Sequence, residues 1–245
     1  MKLQIPILDS GKHHLVVNKP YNMVVVAGRG APKPTLLDVF QESHGKGIKP
    51  VHRLDRVTSG CCILAKDTYG QQALSNAFRK HLIDKRYLAI VEGKPAFDSL
   101  AIDARLARID DPDARKGYLA QQTIDPEGQR AMTRVKVWAK SDEFSVVEAR
   151  PETGRMHQIR AHLAHVGHPI VGDKQYGSKT SFEVDHGIAL LAFAVSFPAP
   201  DGGRRFIHAP LPTSFASFLN NVPLDVCERF KQETERFGIT KNSRY

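Results

Sequence analysis

The sequence predicts an α+β fold in which a mixed, mostly antiparallel central sheet is flanked by helices. Strand-like segments outnumber helical segments, and the two kinds do not alternate regularly, as they would around a parallel sheet. The turn pair Asp201-Gly202 separates two apolar segments, residues 189–197 and 205–209. This arrangement is typical of a β-hairpin, which supplies antiparallel pairing.

Strands and one short helix are predicted at the start of the chain. Alternating apolar residues indicate strands at residues 14–18 and 23–27, followed by a basic loop, GRGAPKP, at residues 28–34. Thr35 and Asp38 have the spacing of a capping box, which predicts that a helix begins there.

A buried strand and a longer helix are expected next. The apolar segment 61–65 predicts the strand, and Thr68 opens a helix with an apolar face at helical spacing. That face consists of Ala73, Leu74, Ala77, Phe78 and Leu82. Residues 85–93 then predict a strand that carries Tyr87 on one face, where packing would be its ordinary role.

The second half of the chain has weaker patterns at first. Between residues 97 and 130 we expect two charged loops at the ends of short strands. Alternation predicts strands at 133–138 and 144–149. A helix with an apolar stripe follows from residue 155 onward, and a charged terminal helix is expected at 226–237.

Composition predicts a folded protein with a polyanionic partner. Of 245 residues, 41% are hydrophobic and 25% are charged, which excludes overall disorder. Lys and Arg number 35 against 26 Asp and Glu, a net charge of +9. This excess favours nucleic acid as partner, with an anionic membrane surface as the alternative. No repeat or linker divides the chain, so we expect one domain over residues 1–222 with a helical extension at 223–245.

Cysteine usage indicates a reducing compartment. Cys61, Cys62 and Cys227 form no C-x-x-C motif, and free buried thiols point to the cytoplasm. The N-terminal residues do not form a signal peptide, because Pro6 and Asp9 interrupt the apolar segment. The longest apolar segment, 187–197, is shorter than a membrane span.

The segment VHRLDRVTSG places one carboxylate, Asp55, among His52, Arg53 and Arg56. Nearby cations lower the pKa of a carboxylate, so we expect Asp55 to be a permanent anion available as nucleophile or base. The alternative is an ion-pair turn on the surface, closed by the residues that follow.

The segment RMHQIRAHLAHVGH is rich in histidine and could suggest a metal site. It has no H-E-x-x-H motif, no cysteine and no acidic residue, so phosphate contact or ordinary packing is preferred. Arg160 and His157 are neighbours on one side of the predicted helix, and Arg155 is at its start.

Three strings, HRLDRVTSG, KRYLAIVEG and ETGRMHQIRAHL, occur in this order and are followed by GHPIVGD and YG. With weaker similarities such as VVNKP, TLLD and APLP, the chain resembles the RluA-type RNA pseudouridine synthases. The resemblance extends over most of the chain and implies the pseudouridine synthase fold. It begins close to residue 1, so we expect the catalytic domain without the N-terminal S4-like RNA-binding domain of many relatives.

The resemblance implies roles for individual residues. Asp55 matches the catalytic aspartate, Tyr87 the tyrosine that lies against the target base, and Arg160 the arginine paired with the aspartate. Arg53 matches the arginine thought to enter the base stack in place of the extruded uridine. We expect further RNA contacts from residues in or beside the same motifs: His52, Arg56, Arg155 and His157.

The family reaction implies neither cofactor nor metal, and its partner is ribosomal RNA or tRNA; we expect a monomer. Asn22, Met156 and Leu191 depart from the usual family residues. The changes at Met156 and Leu191 leave open the hypothesis of a protein that binds or folds RNA without catalysis. A metal-dependent hydrolase built on the histidine-rich segment is a third, weaker hypothesis. Whether Asp55 attacks C1' or C6, or removes a ribose proton, stays open.

Overall fold

One large mixed sheet organises the chain. The computed structural model describes residues 3–28, 32–109, 120–181 and 187–215. The strands are β1 (Ile7–Ser10), β2 (His14–Lys19), β3 (Lys49–Pro50), β4 (Ser59–Ala65), β5 (Asp84–Glu92), β6 (Ser99–Asp103), β7 (Leu106–Ile109), β8 (Gln121–Ile124), β9 (Met132–Lys140), β10 (Phe144–Pro151), β11 (Leu190–Pro198) and β12 (Arg204–His208). The α-helices are α1 (Leu36–His44), α2 (Thr68–Arg79) and α3 (Gln158–His165).

The sheet confirms the predicted fold class. Its strands follow the order β1-β2-β4-β11-β5-β10-β9-β6, while β3 also pairs with β4 and β12 with β11. Strands β7 and β8 form a separate hairpin. Among these pairings, only that of β4 with β11 is parallel. The predicted hairpin around Asp201 and Gly202 is β11 with β12.

The parallel contact lies at the centre of the sheet. Every residue of β4 is buried, and Gly60 pairs with Ala192 of β11. Gly60 has a φ of 106°, and a Cβ on this residue would clash with the Ala192 carbonyl oxygen. Glycine therefore permits the approach of β4 to β11 directly after the Asp55 segment.

The capping box of α1 is formed as predicted. The Thr35 hydroxyl accepts the Asp38 N–H at 3.1 Å, and the Asp38 carboxylate accepts the Thr35 N–H at 3.0 Å. The strand predicted at 23–27 is wrong. The carbonyls of Val24 and Val25 accept the N–H groups of the first α1 residues, so this segment bonds to a helix start and not to a strand.

Helix α2 begins where the sequence predicts but ends earlier. The Asp67 carboxylate caps it by accepting the Gly70 N–H at 2.7 Å. The helix ends at Arg79, so Leu82 lies beyond it. Leu82 is 47% exposed, and its predicted place on the buried face is wrong.

Helix α3 is shorter than the sequence predicts. His157 has a φ of 52°, and the helix starts only at Gln158. The Gln158 side-chain oxygen accepts the Arg155 N–H at 3.0 Å and the Thr153 hydroxyl at 2.7 Å. These bonds hold residues 153–157 in a turn, so Arg155 and His157 precede the helix.

The predicted terminal helix at 226–237, the boundary at residue 222, Cys227 and part of the basic loop lie outside the described residues. Within the described ranges, no helix is long and apolar enough to cross a membrane.

Candidate active site

Asp55 lines a cleft of about 270 Å³ between the start of β4, β5 and the turn before α3. Tyr87 and Arg160 line the same cleft, so the structure brings together the three residues of the predicted catalytic set. The volume is close to the lower end of ligand pockets, roughly 300–1,000 Å³. Asp55 is half-buried and is reachable from the opening.

The environment of Asp55 differs from the predicted one. Burial raises the pKa of this carboxyl above its ordinary value of 3.8, although the positive charges of Arg160, Arg53 and Lys19 act in the opposite direction. The predicted net lowering of this pKa is therefore wrong, because the prediction omitted the cost of desolvating the charge. An ionised carboxylate with a raised pKa is a stronger base and nucleophile than one in water.

Arg160 is held by a different aspartate from the one predicted. Its Nε donates to Asp173 Oδ2 at 2.6 Å, and its Nη2 donates to Asp173 Oδ1 at 2.8 Å and to Gln175 Oε1 at 2.8 Å. Among the described residues, these are the hydrogen-bond acceptors of the guanidinium. Arg160 acts on Asp55 through its charge and not through a direct hydrogen bond.

Tyr87 forms one wall of the cleft. It lies on β5 opposite Ala149 of β10 and is half-buried. Burial raises the pKa of the phenol, and the negative charge of Asp55 raises it further. The phenol is thus neutral at physiological pH and offers an aromatic face beside the carboxylate.

Three of the predicted RNA contacts are exposed cations. Arg53 and Arg155 line the cleft. Arg56 directly follows Asp55 in the sequence and is exposed. Arg56 Nε donates to Asn22 Oδ1 at 2.6 Å, and Arg155 Nε donates to the Arg130 carbonyl at 3.0 Å. These side chains can meet phosphates at the opening.

The two histidines of the predicted set are neutral. His52 Nε2 accepts the Ile63 N–H at 2.8 Å, and burial lowers the pKa of His52 to about 3, with Lys85 contributing. His157 Nδ1 shares a 3.0 Å hydrogen bond with the Tyr176 hydroxyl, and burial lowers its pKa to about 3. Neither imidazole therefore offers a positive charge to RNA.

Lys19 is a site residue to which sequence reasoning gave no role. It is fully buried, and its Nζ donates to the carbonyls of Met23 at 2.7 Å and Pro20 at 2.9 Å. Burial lowers its pKa to about 8, while the Asp55 charge opposes that change. The sequence feature that could have identified Lys19 is the VVNKP string, which contains it.

Asp173 and Tyr176 were also missed, although both belong to the GHPIVGD and YG strings. Asp173 is 1% exposed, and the Arg160 guanidinium lies 4.8 Å from the Tyr176 ring centre.

Leu191, one of the residues that depart from the family pattern, is buried in the core and pairs with Leu88. In the part of the chain that the structure describes, no three His, Cys, Asp or Glu residues group as metal ligands.

Comparisons with known proteins agree with these observations. Residues 13–165 match the family model described as RNA pseudouridylate synthase. The chain is 36% identical to Ribosomal large subunit pseudouridine synthase D of Zymomonas mobilis, over 94% of this chain and 73% of that protein. It is 34% identical to Uncharacterized RNA pseudouridine synthase YjbO of Bacillus subtilis, over 88% of this chain and 75% of that protein.

A solved structure has the same fold. Human RNA Pseudouridylate Synthase Domain Containing 4 superposes with a TM-score of 0.69 at 24% identity, over 87% of this chain and 91% of that one. The predicted resemblance and the predicted isomerase function are confirmed, and an RNA-binding protein without catalysis is not favoured. The chain belongs to the RluA-type RNA pseudouridine synthases, isomerases that convert uridine in RNA into pseudouridine.

Proposed function

We propose that Asp55 is the catalytic carboxylate for the isomerisation of a uridine in ribosomal RNA, with Tyr87 against the target base and Arg160 as the fixed positive charge. One observation carries this proposal. Asp55 is the only carboxylate among the described residues that line the cleft, whereas Arg53, Lys85, Arg155 and Arg160 line it as cations.

Substrate and product contain the same atoms, because the reaction is an isomerisation. The bond from C1' of the ribose to N1 of uracil breaks, the base turns, and a bond from C1' to C5 forms. The C5 hydrogen leaves as a proton, and N1 gains one. An ionised Asp55 can attack C1' or C6, or take a ribose proton to give a glycal, and each route begins with the same carboxylate.

Arg160 supports each of these routes by staying charged. Its two bonds to Asp173 fix the plane of the guanidinium, which then needs no reorganisation when charge moves at Asp55. Guanidinium groups remain protonated in proteins, so Arg160 is an electrostatic partner and not a proton donor.

A uridine within folded RNA must leave its stack before it can reach Asp55. The Tyr87 ring gives the extruded base a surface on which to lie, and the exposed Arg53 can fill the space that it leaves. Phosphate contacts by Arg56 and Arg155 add affinity without reading sequence.

The choice of ribosomal RNA follows the names of relatives, several of which are called ribosomal large subunit pseudouridine synthases. tRNA is the second candidate substrate. We further propose a cytoplasmic location, since Cys61 and Cys62 are buried free thiols. We also propose that the protein is a monomer. The catalytic domain would cover residues 1–222, with 223–245 as its extension.

Tritium release from C5-labelled uridine tests this function. RNA from a strain that lacks the gene would be separated into ribosomal RNA and tRNA and incubated with the wild-type protein or with Asp55→Asn. Release from ribosomal RNA by the wild type alone is the expected result. Release from tRNA alone would overturn the ribosomal assignment, and equal release by Asp55→Asn would overturn the role of Asp55.

A further inference from the structure

A second groove, of about 720 Å³, adjoins the active-site cleft. It lies at the end of the sheet where β5 and β9 begin and β10 ends. Lys85, Thr153 and Arg155 line both the cleft and this groove. A strand of RNA whose target base enters the cleft can therefore continue into the groove without leaving the protein surface.

The groove is strongly positive. Six cations line it, against the two carboxylates of Asp84 and Glu152. The cations are Lys85, Arg130, Arg134, Arg150, Arg155 and Arg204. A concave surface with a clear excess of one sign attracts a polymer of the opposite sign.

Three of these cations are anchored by neutral carbonyl groups. Lys85 Nζ donates to the Thr153 carbonyl at 3.3 Å, and Arg204 Nη2 donates to the Leu82 carbonyl at 2.8 Å. Arg155 donates to a carbonyl in the same manner. Neutral carbonyls fix the position of a cation but do not cancel its charge, so the positive charge remains available to a phosphate.

Two other cations of the groove have carboxylate partners. Arg150 donates to Glu148, which is buried and lies outside the groove lining. Arg134 Nε lies 2.5 Å from Glu152 Oε1, and these two side chains are 61% and 43% exposed. An exposed ion pair is worth only about 0–1 kcal/mol, so a phosphate can replace the Glu152 carboxylate at little cost.

We propose that this groove binds the phosphodiester backbone of the RNA strand that flanks the target uridine. The binding is sequence-independent, because the groove residues that would meet the RNA are cations and phosphates carry no base information. The inference rests on the RNA substrate of the proposed function and adds the surface that holds the RNA outside the cleft. An acidic peptide is the competing occupant.

The first test removes positive charge at the two exposed arginines that lie outside the cleft. The double variant Arg130→Gln/Arg134→Gln is compared with the wild type for binding of a short fluorescent single-stranded RNA over a series of KCl concentrations. We expect the slope of log K against log [KCl] to become less negative by about 0.7–0.9 for each phosphate that the variant no longer binds. In the tritium assay, the Michaelis constant rises by about threefold to tenfold, more than the turnover number falls.

The matched control is Lys94→Gln. Lys94 is an exposed cation in an ion pair, with its Nζ 2.9 Å from Asp142 Oδ1, and it follows the opposite end of β5. We expect its salt slope and Michaelis constant to equal those of the wild type. If the double variant behaves like this control, the groove does not hold RNA and the proposal is overturned.

Glu152→Gln tests the same groove in the opposite direction. It removes the competing carboxylate from Arg134, so RNA binding becomes tighter and the salt slope steeper. A loss of folding cannot produce this gain, and unchanged or weaker binding would contradict the proposal. Binding is measured in the Asp55→Asn form, so the groove can be tested even if no RNA fraction is turned over. An acidic peptide as occupant would leave RNA binding unaltered in every variant, which also overturns the proposal.

Discussion

Two aspartates face the same guanidinium and differ in almost every other respect. Asp173 is 1% exposed and accepts two hydrogen bonds from Arg160. Asp55 is half-buried, lines the cleft, and interacts with Arg160 through charge alone. The buried Asp173 thus fixes the arginine, whereas the accessible Asp55 keeps its acceptor capacity for the substrate.

The electrostatics of Arg160 reflect both partners. Burial disfavours its charge, but the hydrogen bonds and charge of Asp173, followed by the charge of Asp55, outweigh burial and raise the pKa of the guanidinium. Asp55 has no equivalent compensation, because burial raises its pKa against all its cationic neighbours. The Asp55 carboxylate is therefore held in a more reactive state than a carboxylate in water.

The largest expected effect separates the two aspartates by activity. Asp55→Ala should lower turnover by at least about a thousandfold while RNA affinity changes by less than about threefold, since the carboxylate takes part in bond changes and not in phosphate binding. Tritium release and RNA titration on the same preparation measure both. Activity above roughly a tenth of the wild-type value would remove Asp55 from the chemistry.

The two aspartates should also differ in their contributions to the free energy of unfolding. Asp173→Ala leaves the Arg160 cation buried without its partner and should lower the free energy of unfolding by about 3–5 kcal/mol. Urea denaturation is the measurement. Asp55→Ala is the control, and it should not destabilise the protein because it removes a desolvated carboxylate. Equal losses in the two variants would show that the aspartates are not distinct in role.

Tyr87 lines the same cleft as Asp55. Tyr87→Leu should lower kcat/KM by about fivefold to 150-fold, which corresponds to about 1–3 kcal/mol of lost base stacking. Tyr87→Phe keeps the ring and should retain most of the activity. Similar losses in the two variants would mean that the hydroxyl, and not the ring, is the important group.

The raised pKa of Asp55 predicts a pH dependence. Below this pKa, which lies above 3.8, activity should fall about tenfold per pH unit as the carboxylate is protonated. The alkaline side is less informative, because burial lowers the pKa of both Lys19 and Lys85 to about 8. An activity profile that stays flat down to pH 3.8 would contradict the raised value.

The contribution of Asp55 to stability should fall as pH rises, whereas activity should increase. A group whose pKa is higher in the folded state contributes stability at low pH and loses that contribution as pH rises through the folded pKa. Asp55→Asn removes the titration, so this variant should gain stability relative to the wild type as pH rises from 3.8 through the folded-state pKa of Asp55. Thermal unfolding of both proteins over this range measures the difference.

The smallest expected effect concerns the third acceptor of Arg160. Gln175→Ala removes a neutral hydrogen bond of 2.8 Å and should lower the free energy of unfolding by about 0.5–1.5 kcal/mol. Urea denaturation beside Asp173→Ala gives the ratio of the two effects. A loss as large as that from Asp173→Ala would mean that the amide is as important as the carboxylate.

The sequence predicted what depends on local pattern and short motifs. Residue spacing predicted the cap at Thr35, the start of α2 and most of the central strands. Motif matching identified Asp55, Tyr87 and Arg160, which the structure places in one cleft. The Arg160–Asp173 pair could not be predicted, because their bond depends on the turn that follows α3. The pKa of Asp55 was mispredicted for a related reason, since burial is a property of the assembled cleft.

The parallel contact of β4 with β11 joins an early segment of the chain to a late one, which matters for the order in which the site is completed during synthesis. Asp55 precedes β4, whereas Tyr87 lies on β5, which joins β4 only through β11, and Arg160 lies on α3. The ribosome makes the chain from its N-terminus, and contacts between distant segments form late. Leu190, the first residue of β11, lines the cleft, so we expect a nascent chain that ends before residue 190 to lack the completed cleft and to leave RNA unmodified.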